Sequence, residues 1–267
     1  MEEKMDDILQ KIAAQRAIRI AEQKKIQSLD EVRERAAAVT AKRPDFAAAL
    51  AASGVSFICE VKKASPSKGL IAPDFPYLQI AEEYAAAGAS AISVLTEPDF
   101  FLGSGEYLRE IAEKVNVPLL CKDFIIDEYQ IYQAKIWGAS AVLLIVALLP
   151  EEKLKSYLAL AESLGLAALV ETHDEQELRL ALACGAKIIG VNNRNLRDFT
   201  VDFNNSLRLR NLAPADVIFV AESGISNAAD VAALAAAGVN AVLVGEALMR
   251  SSDKKQKLAE LAGKGII

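Results

Sequence analysis

Eight short apolar runs, each followed by a longer stretch of more polar sequence, occupy residues 57–245, and this alternation limits the fold more than any other property of the chain. The apolar runs fall at 57–62, 91–96, 118–122, 141–146, 167–171, 188–192, 217–222 and 241–245. Between them 76–87, 106–115, 127–137, 151–164, 175–183 and 227–237 show helical periodicity. Several of these helices end at the same kind of junction: Gly88-Ala89-Ser90, Gly138-Ala139-Ser140, Gly165-Leu166, Gly185-Ala186 and Gly238-Val239-Asn240. Glycine there is the left-handed residue that stops a helix. Strands separated by helices lie parallel, and eight of them joined by right-handed crossovers close into a (β/α)8 TIM barrel. An open, doubly wound parallel sheet is the alternative fold.

Ahead of the alternation, about 6–38 read as one or two helices, with Ile8, Ile12, Ile18, Ile20 and Ile26 set among charged residues. Pro44 and Asp45 interrupt them, and 46–52 form another short helix. The expected organisation is a single α/β domain over 1–267, of which about 1–54 is an N-terminal helical extension that either covers a substrate or mediates contacts. The longest apolar run, 141–149, falls short of the ~18 residues of a membrane span, so no membrane partner is expected. Residues 1–7 are acidic and lack the order of a signal peptide, which favours a cytoplasmic location. A net charge of −6 argues against a nucleic-acid surface. Cys59, Cys121 and Cys184 have no metal-ligand spacing and read as buried thiols, so no metal is expected. A monomer is expected, with a homodimer as the alternative. The chain runs about one short helix past the last strand, too little for a fused second enzyme.

In a barrel of this kind chemistry sits at the C-terminal ends of the strands, and here those ends are unusually polar. In order they carry Glu60 and Lys62, Thr96 and Glu97, Lys122 and Asp123, Glu171, Asn192-Asn193-Arg194-Asn195, Glu222-Ser223-Gly224 and Gly245-Glu246; only the fourth strand, near Val146 and Ala147, stays apolar. Strand alternation puts Ile58, Glu60 and Lys62 on one face, Leu120 with Lys122, and Leu169 with Glu171. Two lysines and two glutamates then converge over the mouth. In a partly dry pocket their pKa values move away from the usual ones and suit proton transfer near neutrality; a purely structural ion-pair network is the competing reading.

Two further features suit an anion. Ala221-Glu222-Ser223-Gly224-Ile225 and Val244-Gly245-Glu246-Ala247-Leu248 set glycine at the last two strand-to-helix turns, where exposed N–H groups hold phosphate in many such barrels, although ordinary tight turns look the same. Ser65-Pro66-Ser67-Lys68-Gly69 adds hydroxyls, a cation and a flexible backbone. His173, the one histidine, reads as a helix cap or surface residue rather than a catalyst, and Trp137 as packing. Phe100-Phe101 either covers an aromatic substrate or plugs the barrel end.

These residues resemble the indole-3-glycerol phosphate synthase family along essentially the whole chain. The likeness rests on Glu60-Val61-Lys62-Lys63-Ala64-Ser65-Pro66-Ser67-Lys68-Gly69, Leu120-Cys121-Lys122-Asp123-Phe124-Ile125, Leu169-Val170-Glu171, Gly190-Val191-Asn192-Asn193-Arg194-Asn195-Leu196, Glu222-Ser223-Gly224-Ile225 and Val244-Gly245-Glu246. Glu128, Thr172, Ala221 and Ala247 stand where relatives commonly carry proline, valine, serine and serine, none of them a charged motif residue. The resemblance implies a lyase of tryptophan biosynthesis that works without a cofactor. It would close 1-(2-carboxyphenylamino)-1-deoxyribulose 5-phosphate to an indole ring with loss of carbon dioxide and water. It implies Lys122 as general acid for closure, Glu171 as its partner acid or base, Lys62 held by Glu60 against charged substrate groups, and Asn192 as a positioning group. Arg194 and Ser65 would contact substrate anions, Arg194 through two parallel hydrogen bonds to the anthranilate carboxylate. Phe124 and Leu196 would wall the aromatic ring. Glu222, Ser223, Gly224, Gly245 and Glu246 are expected to bind substrate, the last four at its phosphate. Lys62 and Lys122 both remain as the acid for dehydration. The rival readings are a phosphoribosylanthranilate isomerase-like barrel and a non-catalytic phosphosugar-binding barrel.

Overall fold

The computed structural model describes residues 8–196 and 198–263; the expected helical positions 6 and 7 and the acidic residues 1–7 lie outside the described residues. Strands β1 (Ser56–Val61), β4 (Ala91–Leu95), β5 (Leu119–Lys122), β6 (Ala141–Ile145), β7 (Ala167–Thr172), β8 (Ile188–Asn192), β9 (Ile218–Glu222) and β10 (Ala241–Val244) pair in that order, and β10 returns to β1. Every barrel ladder is parallel. The closure that sequence periodicity cannot express is therefore present, and the open-sheet alternative is set aside. Two two-residue strands, β2 (Ala64–Ser65) and β3 (Gly69–Leu70), form an antiparallel hairpin in the loop after β1.

The strands read as continuous apolar runs because both of their faces are buried. Their outward residues, such as Cys59, Val94, Cys121 and Val170, pack against helices in one core. Their inward residues, including Ile58, Leu120, Leu143, Leu169 and Val220, fill a second core inside the barrel. Helices α4 (Tyr77–Ala86), α5 (Gly105–Lys114), α6 (Glu128–Ile136), α7 (Glu151–Ser163), α8 (Glu175–Ala183), α9 (Asn204–Arg210) and α10 (Ala228–Ala236) lie between the strands in sequence. Asp127 and Asn227 start α6 and α10 with reciprocal capping boxes. The glycines read as helix stops at 88, 138, 165, 185 and 238 all have φ between 70° and 90°. After β10 come two short helices, α11 (Glu246–Met249) and α12 (Lys254–Leu261), where one was expected.

The N-terminal segment covers the barrel at both ends. Helix α3 (Phe46–Leu50) places Phe46 and Leu50 in the inner core with Ile58 and Ala91, near the strand starts, where the Ser56 hydroxyl donates to the Ala49 carbonyl at 3.0 Å. Helix α1 (Ile8–Ile26) reaches the opposite mouth and is tied to the loops there by Arg16–Asp123 (2.9 Å), Arg19–Asp99 (2.5 Å) and Lys24–Asp127 (2.7 Å). The first of these pairs is almost wholly buried. Helix α2 (Leu29–Ala37), capped by Ser28 and Glu31, packs on α6.

Candidate active site

The alternation that fills the barrel with Ile58, Leu120, Leu169 and Val220 continues upward, so the next inward residues on the same strands are Glu60, Lys122, Glu171 and Glu222. Their carboxylates and ammonium form the floor of a cavity of about 440 Å³. The Lys122 Nζ lies 3.6 Å from Glu171 Oε2 and 3.8 Å from Glu222 Oε2, and Lys62 pairs directly with Glu60. The two lysines and two glutamates expected to converge do so, and Glu222, expected from the resemblance as a substrate-binding residue, joins them as a fifth charged group. It stands two residues after Val220, which the barrel turns inward.

Two glycines make room for this cluster. A Cβ at Gly190 would overlap Glu222 Oε1, and one at Gly245 would overlap Glu60 Oε1 and stand 3.1 Å from Lys62 Nζ. Gly245 therefore accommodates the Glu60–Lys62 pair as well as starting α11.

The charges reshape one another's titration. Burial works to lower the Lys122 pKa, but the Glu171, Glu222 and Glu60 carboxylates outweigh it and hold the ammonium above its usual value. Burial works to raise Glu60, and Lys62 and Lys122 overcome it, leaving Glu60 low. Glu171 is also low: Lys122 and His173 together outweigh its burial. Glu222 goes the other way, raised by burial and then by repulsion from Glu171. Two nearby carboxyls are thus pushed apart, one kept ionised and the other inclined to keep its proton, and they titrate as a pair.

Asn192 is held by neighbours on its own loop and the next. Its Oδ1 accepts from the Ser223 hydroxyl at 2.9 Å and the Arg194 backbone N–H at 3.0 Å, so its Nδ2 points to Glu171 Oε1 at 3.3 Å. The Arg194 guanidinium donates to the Phe199 carbonyl at 3.1 Å and lines the cavity. Ser65, Phe124, Leu196, Ser223, Gly224, Gly245 and Glu246 line it too, so every residue given a catalytic or substrate-binding role from the resemblance reaches one cavity. Ser223 and Gly224 have φ of 64° and 79°, which turns the chain sharply after β9, and Glu246 meets Lys68 of the hairpin at 3.5 Å.

Some residues missed or misjudged from sequence also belong here. Ile8, Leu9 and Ile12 of α1 form part of the wall, so the N-terminal extension covers the mouth. Of the Phe100-Phe101 pair, Phe101 lines the cavity and packs on Phe124 with centroids 5.6 Å apart. Glu97 does not enter the site; it is buried and accepts the backbone N–H groups of Asp99, Phe100 and Phe101, shaping that loop. His173 is not a surface or capping residue: Asp174 caps α8, and the imidazole is mostly buried between Glu171 and Glu177. Its i+2 spacing from Glu171 and i+4 spacing to Glu177 were the available signal. Trp137 packs under Gly105, as expected.

A model of the family described as indole-3-glycerol phosphate synthase matches residues 9–261. The chain belongs to the indole-3-glycerol phosphate synthase family. It is 54% identical over 257 residues to the indole-3-glycerol phosphate synthase of Ruminiclostridium cellulolyticum, covering 96% of this chain and 99% of the relative. The indole-3-glycerol phosphate synthase of Endomicrobium trichonymphae is also 54% identical, with 95% and 99% covered. Among solved structures, the 3-hexulose-6-phosphate synthase of Salmonella typhimurium superposes with a TM-score of 0.65 over 78% of this chain and 97% of that one; at 15% identity this is a likeness of fold alone. Membership in the indole-3-glycerol phosphate synthase family sets aside the isomerase-like reading. Among the described residues no helix is long and apolar enough to cross a membrane, and no cluster of possible metal ligands occurs.

Proposed function

We propose that the buried lysine–glutamate cluster is the catalytic centre of an indole-3-glycerol phosphate synthase, a carboxy-lyase of tryptophan biosynthesis. It closes 1-(2-carboxyphenylamino)-1-deoxyribulose 5-phosphate to indole-3-glycerol phosphate with loss of carbon dioxide and water. The activity follows from family membership. The observation that carries the residue roles is Lys122 Nζ, on the floor of the cavity between Glu171 and Glu222.

Closure needs a proton on the substrate's ketone oxygen as the aromatic carbon attacks. Lys122 supplies it as an ammonium whose charge the surrounding carboxylates stabilise. Loss of carbon dioxide then restores the ring. Dehydration removes a hydroxyl under acid assistance and a proton under base assistance, and Glu171, kept ionised and with Oε2 free of hydrogen bonds, is the base. Lys62, braced by Glu60 beside Gly245, contacts charged substrate groups on the phosphate side. The phosphate lies against the turns of Ser223-Gly224 and Gly245-Glu246, where backbone N–H groups precede helices. Arg194 and Ser65 take the remaining anionic groups. Phe124, Phe101, Leu196 and the α1 isoleucines enclose the aromatic ring and exclude water.

A monomer, with a homodimer as the alternative, and a cytoplasmic location are part of this reading. Indole fluorescence under single-turnover conditions tests the assignment. Lys122→Ala and Glu171→Gln should each lower turnover by roughly 10²–10⁴-fold, the usual range for a positioned acid or base. Unchanged turnover in either variant would overturn that residue's role.

A further inference from the structure

Beyond the cluster itself, a second cavity of about 420 Å³ adjoins the first, sharing Leu9, Asn192, Arg194 and Leu196 with it, and is lined mainly by polar residues that include His173, Glu177, Asn193 and Asp202. His173 lies between the two spaces. Its Nε2 is 3.3 Å from Glu171 Oε1, its Nδ1 is 3.0 Å from Glu177 Oε2, and its backbone N–H donates to the same Glu177 oxygen at 2.8 Å. Asn205 Nδ2 donates to the His173 carbonyl at 2.9 Å, so the residue is held from β7, α8 and α9 together.

We infer that His173 is a positioning residue for the reaction: braced by Glu177, it engages Glu171 Oε1 as an imidazolium, so that Glu171 stays ionised and presents Oε2 to Lys122 and the substrate. The geometry divides the carboxylate's two oxygens. Oε1 accepts from Asn192 and stands 3.3 Å from the buried His173 Nε2, an ion-pair approach without hydrogen-bond geometry, while Oε2 is buried, has no hydrogen-bond partner and lies 3.6 Å from the Lys122 ammonium. A base needs one free lone pair pointed at the reacting proton and a second oxygen fixed so that the carboxylate does not rotate. A cation on the fixed oxygen also opposes the carboxylates of Glu222 and Glu60, which face Glu171 across the barrel and favour its protonation. Burial alone would discharge the imidazole, but Glu171 and Glu177 reverse this and raise its pKa to about 10. Asp174, Asp202 and Arg194 are the other charged residues lining this second cavity, Arg194 lining the first as well.

This inference rests on Glu171 as the working carboxylate. The test measures kcat, KM and the pH profile of the full chain carrying His173→Gln, and separately Glu177→Gln, beside Glu171→Gln. His173→Gln keeps a donor but no charge. It should lower kcat about tenfold with KM little changed, and move the acidic limb of kcat up by about one pH unit, because Glu171 then ionises less readily. Glu177→Gln leaves the imidazole in place but removes one of its two anions, so a loss of kcat should appear at lower pH on the alkaline side. If both variants keep the parent kcat and both limbs, the inference is overturned, even if either variant melts earlier. A Glu171→Gln variant of undiminished turnover would instead overturn the functional reading beneath it.

Discussion

Gly190 is where fold and chemistry constrain each other most tightly, and replacing it with alanine tests the packing of the site directly. The residue is in the middle of β8 with ordinary strand geometry, since its φ is not among the positive values, so alanine brings no backbone strain. What it brings is a methyl group inside the barrel. That carbon would sit about 1 Å or more inside van der Waals contact with Glu222 Oε1 and would stand 3.2 Å from Leu169 Cδ1. The leucine is locked in the inner core, so the carboxyl end of Glu222 is the part that gives way. Overpacking of this kind costs typically about 1–3 kcal/mol of stability. A displacement near 1 Å in a catalytic group costs up to about 10²-fold in rate. Gly190→Ala should therefore fold, unfold at lower urea concentration, and lose kcat far more than substrate affinity. Urea melts followed by circular dichroism and steady-state kinetics read the two effects separately. A variant with both parental stability and parental kcat would show that Glu222 does not stand where the structure puts it, or does not matter there.

The buried Arg16–Asp123 pair should be costly to break: Asp123→Ala leaves the guanidinium unpaired and is expected to lose about 3–5 kcal/mol in urea unfolding, while loosening α1 and raising KM. Phe101→Ala opens the wall beside Phe124 and should raise KM more than it lowers kcat, which substrate titration will resolve. Glu222 has a folded pKa raised above its ordinary 4.5, so the folded chain holds this proton more tightly than the unfolded one. That contribution is present in full below the unfolded value and is lost as pH rises through the folded one. Glu222→Gln should accordingly flatten the decline of stability with rising pH, and parallel melting curves for variant and parent across that range would refute the assignment.

Much of this molecule was legible before any coordinates. The repeated apolar runs and glycine stops announce eight strand–helix units because both signals are local: a strand buried on two faces must be apolar throughout, and a helix ended by a left-handed residue favours glycine. The site residues were legible for a related reason, since strand alternation carries the inward face up to the polar strand ends, and the family motifs name the same positions. Four things needed the tertiary structure. Closure of the sheet depends on β10 meeting β1 across the whole chain. The place of α1 over the mouth depends on ion pairs between residues about 80 to 107 positions apart. Glu222 entered the charge cluster only when β9 was set beside β8, opposite the space left by Gly190. His173 read as a cap or surface residue because its spacing from Glu171 and Glu177 does not by itself tell a solvated imidazole from one enclosed between the two carboxylates. Local periodicity specifies which way a side chain points, but the distance between groups on different strands, which sets charge and pKa, exists only once the barrel has closed.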